Sequence, residues 1–342
     1  MSTVINTTIP TLVLSAHLPD EVEIESLTPE VTVTITIDSI TVFSSVYYTY
    51  NTKVYVRDIR SIVESAMILN NLSLCSFILS VEDMESTTKT TGDIKVIYSQ
   101  MKSPCGSEDF LLNKFLSTRT SVLLSRTCPF TLYFYAKPFE QNSNYCEIYY
   151  TPSYAPDKVL KHTNNYPSKL SDSHAIKSYP ASYSELQHLL SLSNINDSTI
   201  SRVSFHIGPR VFNIYFTPDT PSDTFQFRSS FNLYDTVCLF GSTSTKTEVS
   251  HSEAVCGRIV SYYDEQTKVL HEVETAPLTL SEARHLTELL TSRHITRQTS
   301  EGEFVPVLIT DVSPEISDNN TNPVRIKFTW TYADQTEYLP NE

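Results

Sequence analysis

Arg258-Ile259-Val260-Ser261-Tyr262-Tyr263 is followed by the polar Asp264-Glu265-Gln266-Thr267 and then by Lys268-Val269-Leu270-His271-Glu272-Val273. β-Branched and aromatic residues concentrate in the two flanking runs, which predicts two short strands with a polar turn between them. After Ala276-Pro277-Leu278 the pattern changes. Thr279 stands three residues before Glu282, the spacing at which a hydroxyl and a carboxylate each satisfy a free N–H at a helix start. Ala283, Leu286, Leu289 and Leu290 recur at helical spacing, with Glu282, Arg284, Glu288 and Arg293 on the other faces. The prediction is a hairpin, a connector and a capped amphipathic helix over residues 279–293. Thr279, Glu282, Leu286 and Leu290 are its structural residues.

A similar order of elements is read near the N-terminus. Tyr47-Tyr48 and Thr52-Lys53-Val54 match Tyr262-Tyr263 and Thr267-Lys268-Val269 at the same spacing, which raises the question of a structural duplication. Residues 42–50 and 53–56 predict a hairpin about Asn51-Thr52, because Asn tolerates positive φ. Asp58 opens a predicted helix over 58–70, with Ile59, Ile62, Val63, Ala66 and Met67 on one face; Ile59 and Ile62 are its structural residues.

Residues 31–37 alternate Val-Thr-Val-Thr-Ile-Thr-Ile, the pattern of a half-buried strand. Residues 1–25 read as an extended arm with a strand at Leu12-Val13-Leu14. Further strands are predicted at 74–81, 94–98, 121–125, 131–135, 146–150, 203–207, 211–216, 225–231, 233–240, 304–311 and 324–332, the last containing Trp330. Short helices are predicted at 110–116 and 182–192. Residues 151–180 hold Pro152, Pro156, Pro167 and Pro180 without apolar periodicity and read as a linker or long loop. The expected fold is mainly β (α+β): two β-sandwich or tube-like β-modules, each with one flanking amphipathic helix. The expected division is 1–150, the linker 151–180, and 181–342.

The formal charge is −14, and no Lys or Arg precedes Lys53. Such a surface repels nucleic acid and anionic membranes, so neither is an expected partner. Six glycines, with no GxGxxG or GxxxxGK[ST], argue against a glycine-rich phosphate cradle. No basic segment opens the chain and no apolar run is long enough to span a bilayer, so neither a signal peptide nor a membrane span is expected. The cysteines, Cys75, Cys105, Cys128, Cys146, Cys238 and Cys256, show no CxxC pair, and free buried thiols are expected. Nine scattered histidines lack HExxH or paired Cys/His spacing, and GxSxG is absent. His251 beside Cys256 and the carboxylates Glu253, Asp264, Glu272 and Glu274 read as solvated strand and turn residues. No catalytic, metal or cofactor-binding residue is predicted, and no cofactor.

Residues 248–334 resemble structural proteins encoded in the tail gene clusters of tailed bacteriophages and prophages of Bacteroidetes. Ser252-Glu253-Ala254-Val255-Cys256, Tyr262 and the lead from Val273 to Leu280 carry the resemblance. So do Pro306-Val307-Leu308-Ile309-Thr310-Asp311 and Ile326-Lys327-Phe328-Thr329-Trp330-Thr331-Tyr332-Ala333-Asp334. The resemblance implies a tail-tube, distal-tail or baseplate-hub component that forms a ring from copies of itself and contacts other tail proteins. It implies a place in the virion tail after synthesis in the bacterial cytoplasm, and it brings no catalytic residue. The abundant tyrosines support an alternative, a glycan- or protein-binding β-sandwich such as a receptor-binding protein or adhesin.

Overall fold

The computed structural model of the protein describes residues 3–85, 87–137, 144–165, 174–312 and 324–334. Among these residues four α-helices stand among 23 strands, so the fold is mainly β. Its apolar side chains gather around three large cores in chain order.

The N-terminal unit contains β1 (Val4–Ile5), β2 (Leu12–Leu14), β3 (Glu21–Glu25), β4 (Glu30–Ile37), β5 (Ile40–Tyr48), β6 (Lys53–Arg57), α1 (Ile59–Leu69), β7 (Leu74–Asp83), β8 (Thr88–Thr90) and β9 (Ile94–Ile97). In β4 the alternation turns Val31, Val33, Ile35 and Ile37 inward and the threonines outward, since successive strand residues face opposite ways. β4 lies in a sheet ordered β2-β9-β7-β4-β5, to which β8 adds on β7; β1, β3 and β6 form a second sheet. Val22 and Ile24, with Ile59, Val63 and Met67 of α1, fill the shared core. Residues 3–25 therefore pack into this unit and do not form the expected extended arm. Asn51 and Thr52 take φ of 49° and 64°, the left-handed geometry of a tight turn. The expected hairpin across them is corrected, however: β5 pairs with β4 and β6 with β3, so the turn passes the chain from one sheet to the other.

The middle unit follows α2 (Ser107–Asn113). It contains β10 (Ser121–Ser125), β11 (Thr131–Ala136), β12 (Asn144–Pro152), β13 (Leu160–Asn165), β14 (Ala175–Pro180), α3 (Tyr183–Leu192), β15 (Ser198–Ile207) and β16 (Arg210–Thr217). Five strands order β10-β16-β15-β12-β13, and β11 pairs separately with β14. Ile148, Phe205, Phe212 and Ile214 pack with Leu132 and Phe134 of the ribbon and with Leu186 and Leu190 of α3. This unit corrects the linker reading of 151–180. That segment carries the end of β12, then β13 and β14; its residues 166–173 lie outside the described residues. β12 pairs with β15 across the expected boundary, so positions 150 and 181 both fall inside one packed unit. The segment looked linker-like because β13, Leu-Lys-His-Thr-Asn-Asn, is an edge strand with little buried surface to mark it.

The C-terminal unit contains β17 (Asp223–Arg228), β18 (Tyr234–Leu239), β19 (Gly241–Cys256), β20 (Ile259–Thr275), α4 (Leu280–Thr291), β21 (Ile295–Gln298), β22 (Phe304–Val312) and β23 (Lys327–Tyr332), in the order β18-β17-β21-β22-β23-β20-β19. β20 is one continuous strand. The polar Asp264-Glu265-Gln266-Thr267 is not a turn, and the turn lies at Gly257-Arg258, between Cys256 and Ile259. Gly257 there has φ of 66°, as a two-residue hairpin loop with Gly in its first position requires. The matched Tyr-Tyr and Thr-Lys-Val segments consequently differ in structure: one spans two sheets, the other lies within a single strand. The duplication is not supported.

Cys128 and Cys238 are joined as a disulfide between the middle and C-terminal units, which corrects the expectation of six free thiols. Cys75 and Cys146 remain free, and burial pushes both thiols up to about 12.

Trp330, the single tryptophan, is fully buried in β23. Its ring stacks on His271 at 4.0 Å and meets Phe225 edge-on at 6.0 Å, and the Arg297 guanidinium lies 4.8 Å above it. Trp330→Ala removes the largest apolar side chain of this core, and a loss of about 3–5 kcal/mol is expected. Urea unfolding followed by circular dichroism measures it; a loss below 1 kcal/mol would contradict this packing.

Candidate interaction surface

The element that sets this chain apart is the hairpin of β19 and β20. β23 pairs with β20 only at His271, Glu272, Val273 and Glu274. From Lys246↔Leu270 outward to Cys256↔Ile259 the two strands pair with each other and with no other strand among the described residues. Ten or so residues per strand at about 3.3 Å each give an arm roughly 33 Å long. Such a two-stranded ribbon is marginal in water by itself, and both its edges present unpaired N–H and C=O groups.

The arm is also two-faced. Residues directly opposite one another share a face of an antiparallel pair. One face carries Val249 opposite Thr267, Thr247 opposite Val269, Glu253 opposite Tyr262 and Val255 opposite Val260. His251, opposite Glu265 on the same face, stacks on Tyr262 at 4.5 Å. The other face carries Lys246, Glu248, Ser250 and Ser252 opposite Leu270, Lys268, Gln266 and Asp264, and at the tip Ala254 and Cys256 opposite Ser261 and Ile259. Toward the root, the first face continues through His271, against Trp330, to buried Val273. The core-facing side of the C-terminal sheet thus runs on past the end of the core. Val255, Ile259, Tyr262 and Tyr263 are each at least 65% exposed, a dense apolar supply at one tip.

Gly241 sets the root. A Cβ there would stand 2.2 Å from Glu274 O and 2.8 Å from Ala276 N, backbone atoms that cannot yield locally. Only glycine fits this close approach.

Behind the root, α4 is held by a partly buried polar cluster. Thr118 Oγ1 hydrogen-bonds His285 Nδ1 at 2.9 Å and donates to Glu288. Ser230 N donates to the second Glu288 oxygen at 3.0 Å. His285 Nε2 lies 3.3 Å from Asp235 Oδ2, while Arg119 donates to Asp235 Oδ1 and Thr236 O. Burial alone would push the Glu288 carboxyl up. The hydrogen bond and charge of His285, with the bonds from Thr118 and Ser230, outweigh burial and hold it at about 2. A carboxylate that acidic is a weak general base, although hydroxyl, imidazole and carboxylates are within reach of one another. The cluster ties α4 to the strand entry of the middle unit. A cavity of about 580 Å³ lies beside it, walled by Phe110 and Phe231 with Lys102 and Arg284 at its rim.

Thr279 and Glu282 form a reciprocal cap: Glu282 N donates to Thr279 Oγ1 at 3.3 Å, and Thr279 N to Glu282 Oε2 at 2.9 Å. Leu286 and Leu290 are buried in the same core as Trp330. Ile59 and Ile62 belong to α1 in the N-terminal core, so the structure does not bring the seven predicted residues together. The arm's exposed residues were missed. Their available signal was Gly257-Arg258 between two alternating runs. Among the described residues, no group of three or more His, Cys, Asp or Glu side chains could hold a metal ion. No described helix is long and apolar enough to cross a membrane.

No protein-family profile and no curated protein matches the chain. Solved structures similar at low level include these two. The plexin A4 full extracellular region is 10% identical, with a TM-score of 0.23, over 98% of this chain; the chain spans 40% of that one. The fibronectin(III)-like modules of Clostridium thermocellum CbhA are 7% identical, with a TM-score of 0.18, over 63% of this chain and 94% of theirs.

Glu288 titrates below the ordinary 4.5, so its stabilisation is fully present above pH 4.5 and is lost as pH falls toward 2. Glu288→Gln is expected to lower stability at pH 7 by roughly 3 kcal/mol and to flatten the curve between pH 4.5 and 2. Urea titrations across that range test this. Parallel curves for both proteins would show that the buried carboxylate contributes nothing.

Proposed function

We propose that the protein is a non-enzymatic structural subunit of a phage or phage-derived tail: a distal-tail, tube or baseplate-hub component that assembles into a ring. The arm carries this reading. An apolar face and two unpaired edges in solvent are a liability for a monomer and a ready interface for a subunit. The segment that resembles tail structural proteins, residues 248–334, comprises most of this arm with α4 and the closing strands. The acidic charge suits a protein that meets other proteins and not nucleic acid. Its place in this reading is the virion tail, after synthesis in the bacterial cytoplasm.

A second reading, a glycan-binding module, has its own observation. On the outer face of the five-stranded sheet the Arg202 guanidinium lies 5.1 Å from the Tyr149 ring and 5.6 Å from the Tyr215 ring. Tyr145 stacks on His206 at 4.5 Å on the same sheet face, and Asn213 Oδ1 accepts from Arg202. Rings and amide or guanidinium groups on one surface suit a sugar. A glycan array on wild type and Tyr149→Ala/Tyr215→Ala tests it, and binding lost in the double variant would favour it.

For the first reading, native mass spectrometry and electron microscopy of the protein, alone and with proteins encoded beside it, are expected to show rings. Replacing residues 247–269 by Asn-Gly is expected to leave a folded monomer. Monomers of the intact protein under every condition would overturn the proposal.

A further inference from the structure

We infer that the arm of one copy docks along β5 of the next copy, so that assembly is head-to-tail between the C-terminal unit of one subunit and the N-terminal unit of its neighbour. The inference rests on the reading of the chain as a self-assembling subunit and names the two surfaces involved.

The size of the arm points to a partner of this kind. Residues 247–269 number 23, almost all exposed, and one side of a stable protein interface takes about 20–30 residues. Two unpaired strand edges call for another strand, the mode in which backbone hydrogen bonds supply affinity and alternate side chains supply fit.

The free edges of the body then decide where. β1 and β2 end their sheets with two and three residues, β6 with five, and β18 and the ribbon strands β11 and β14 have six each. β10 has five and lies against β18, near the Cys128–Cys238 disulfide. β13 has six, and its outward residues are polar or charged. β5 is the long one: nine residues, hydrogen-bonded to β4 on one side and to no named strand on the other. It also carries more exposed apolar side chains than the other edges, Ile40 at 64%, Val46 at 51% and Tyr48 at 76%, where β6, β10 and β18 offer one each, Tyr55, Leu123 and Tyr234. β19 ends its sheet, so its outer edge is unpaired among the described residues, and the nine residues of β5 can zip along the roughly ten that lie in the arm, with Val46 and Tyr48 meeting the valines and tyrosines of the arm. Charge agrees at the tip. Arg258 is exposed with no ion pair among the described residues, while Glu30 and Glu82 stand on the threonine-rich outer face that β5 borders. Such a contact joins two different surfaces, so repetition closes a ring or runs into a filament.

Two variants and their mixture test the inference. The first replaces residues 247–269 by Asn-Gly and keeps β5. The second, Ile40→Lys/Val46→Lys/Tyr48→Lys, keeps the arm and charges the β5 edge, the device by which edge strands resist pairing. Circular dichroism and the emission of buried Trp330 establish that both fold. Each alone is expected to sediment as a monomer. A 1:1 mixture, which offers one competent arm and one competent β5, is expected to yield a species of twice the monomer mass that grows no further. Assembly of the β5-lysine variant by itself, or absence of the mixed dimer, overturns this docking while the assembling role of the intact chain stands. An intact chain that stays monomeric in every condition overturns both.

Discussion

The pairing of β20 with β23 over four residues is the constraint on which the rest of the C-terminal unit depends. There His271 lies against Trp330, and the Arg297 guanidinium covers the indole from above. Arg297 Nε also donates to Asp223, which is buried, so the cation that covers the ring is itself tied to β17. Burial and the Arg297 charge push His271 below its ordinary value, against the pull of Asp223, which favours a neutral ring for stacking. Outward of this junction the arm is held by its own ladder, apart from Thr331 Oγ1, which donates to Val269 O at 2.8 Å. Everything inward is closed by Phe225, Phe328 and α4.

That junction explains why the arm has two unlike faces. A strand that enters a core must place alternate side chains inward, and the alternation does not stop where the core stops. In β20 the inward set begins with Val273 and continues through Val269 to Tyr262 and Val260 without anything to cover it. The Glu288–His285–Thr118 cluster performs the complementary task on the other side of α4. It ties the helix to Thr118 at the entry of the middle unit and to Ser230 through hydrogen bonds of His285 and Glu288.

The sequence was most legible where one face of an element meets a core. Val31, Val33, Ile35 and Ile37 alternate because β4 is buried on one side, and Ala283, Leu286, Leu289 and Leu290 recur because α4 is. The Thr279/Glu282 spacing was legible because a helix start has only a few local ways to satisfy its first N–H groups. The arm was illegible for the opposite reason. In a ribbon with water on both sides, Asp264-Glu265-Gln266-Thr267 carries no inside to reveal a strand, and a polar run in mid-strand has the composition of a turn. The same blindness made β13 resemble a linker and concealed the middle unit.

By itself, then, the sequence determined the mainly β character, the positions of α1, α3, α4 and most strands, and the cap that starts α4, because these follow from periodicity and contacts a few residues apart; α2 lies three residues earlier than the expected 110–116. Only the tertiary structure decided which strands pair. It sent β5 and β6 to different sheets from one turn, joined β12 to β15 across 151–180, and ran β20 straight through a polar segment. Strand pairing depends on backbone groups that every residue shares, so side-chain identity constrains it weakly. The partner of an edge is chosen by the packing of the whole chain, and for the arm that packing leaves the partner outside the chain.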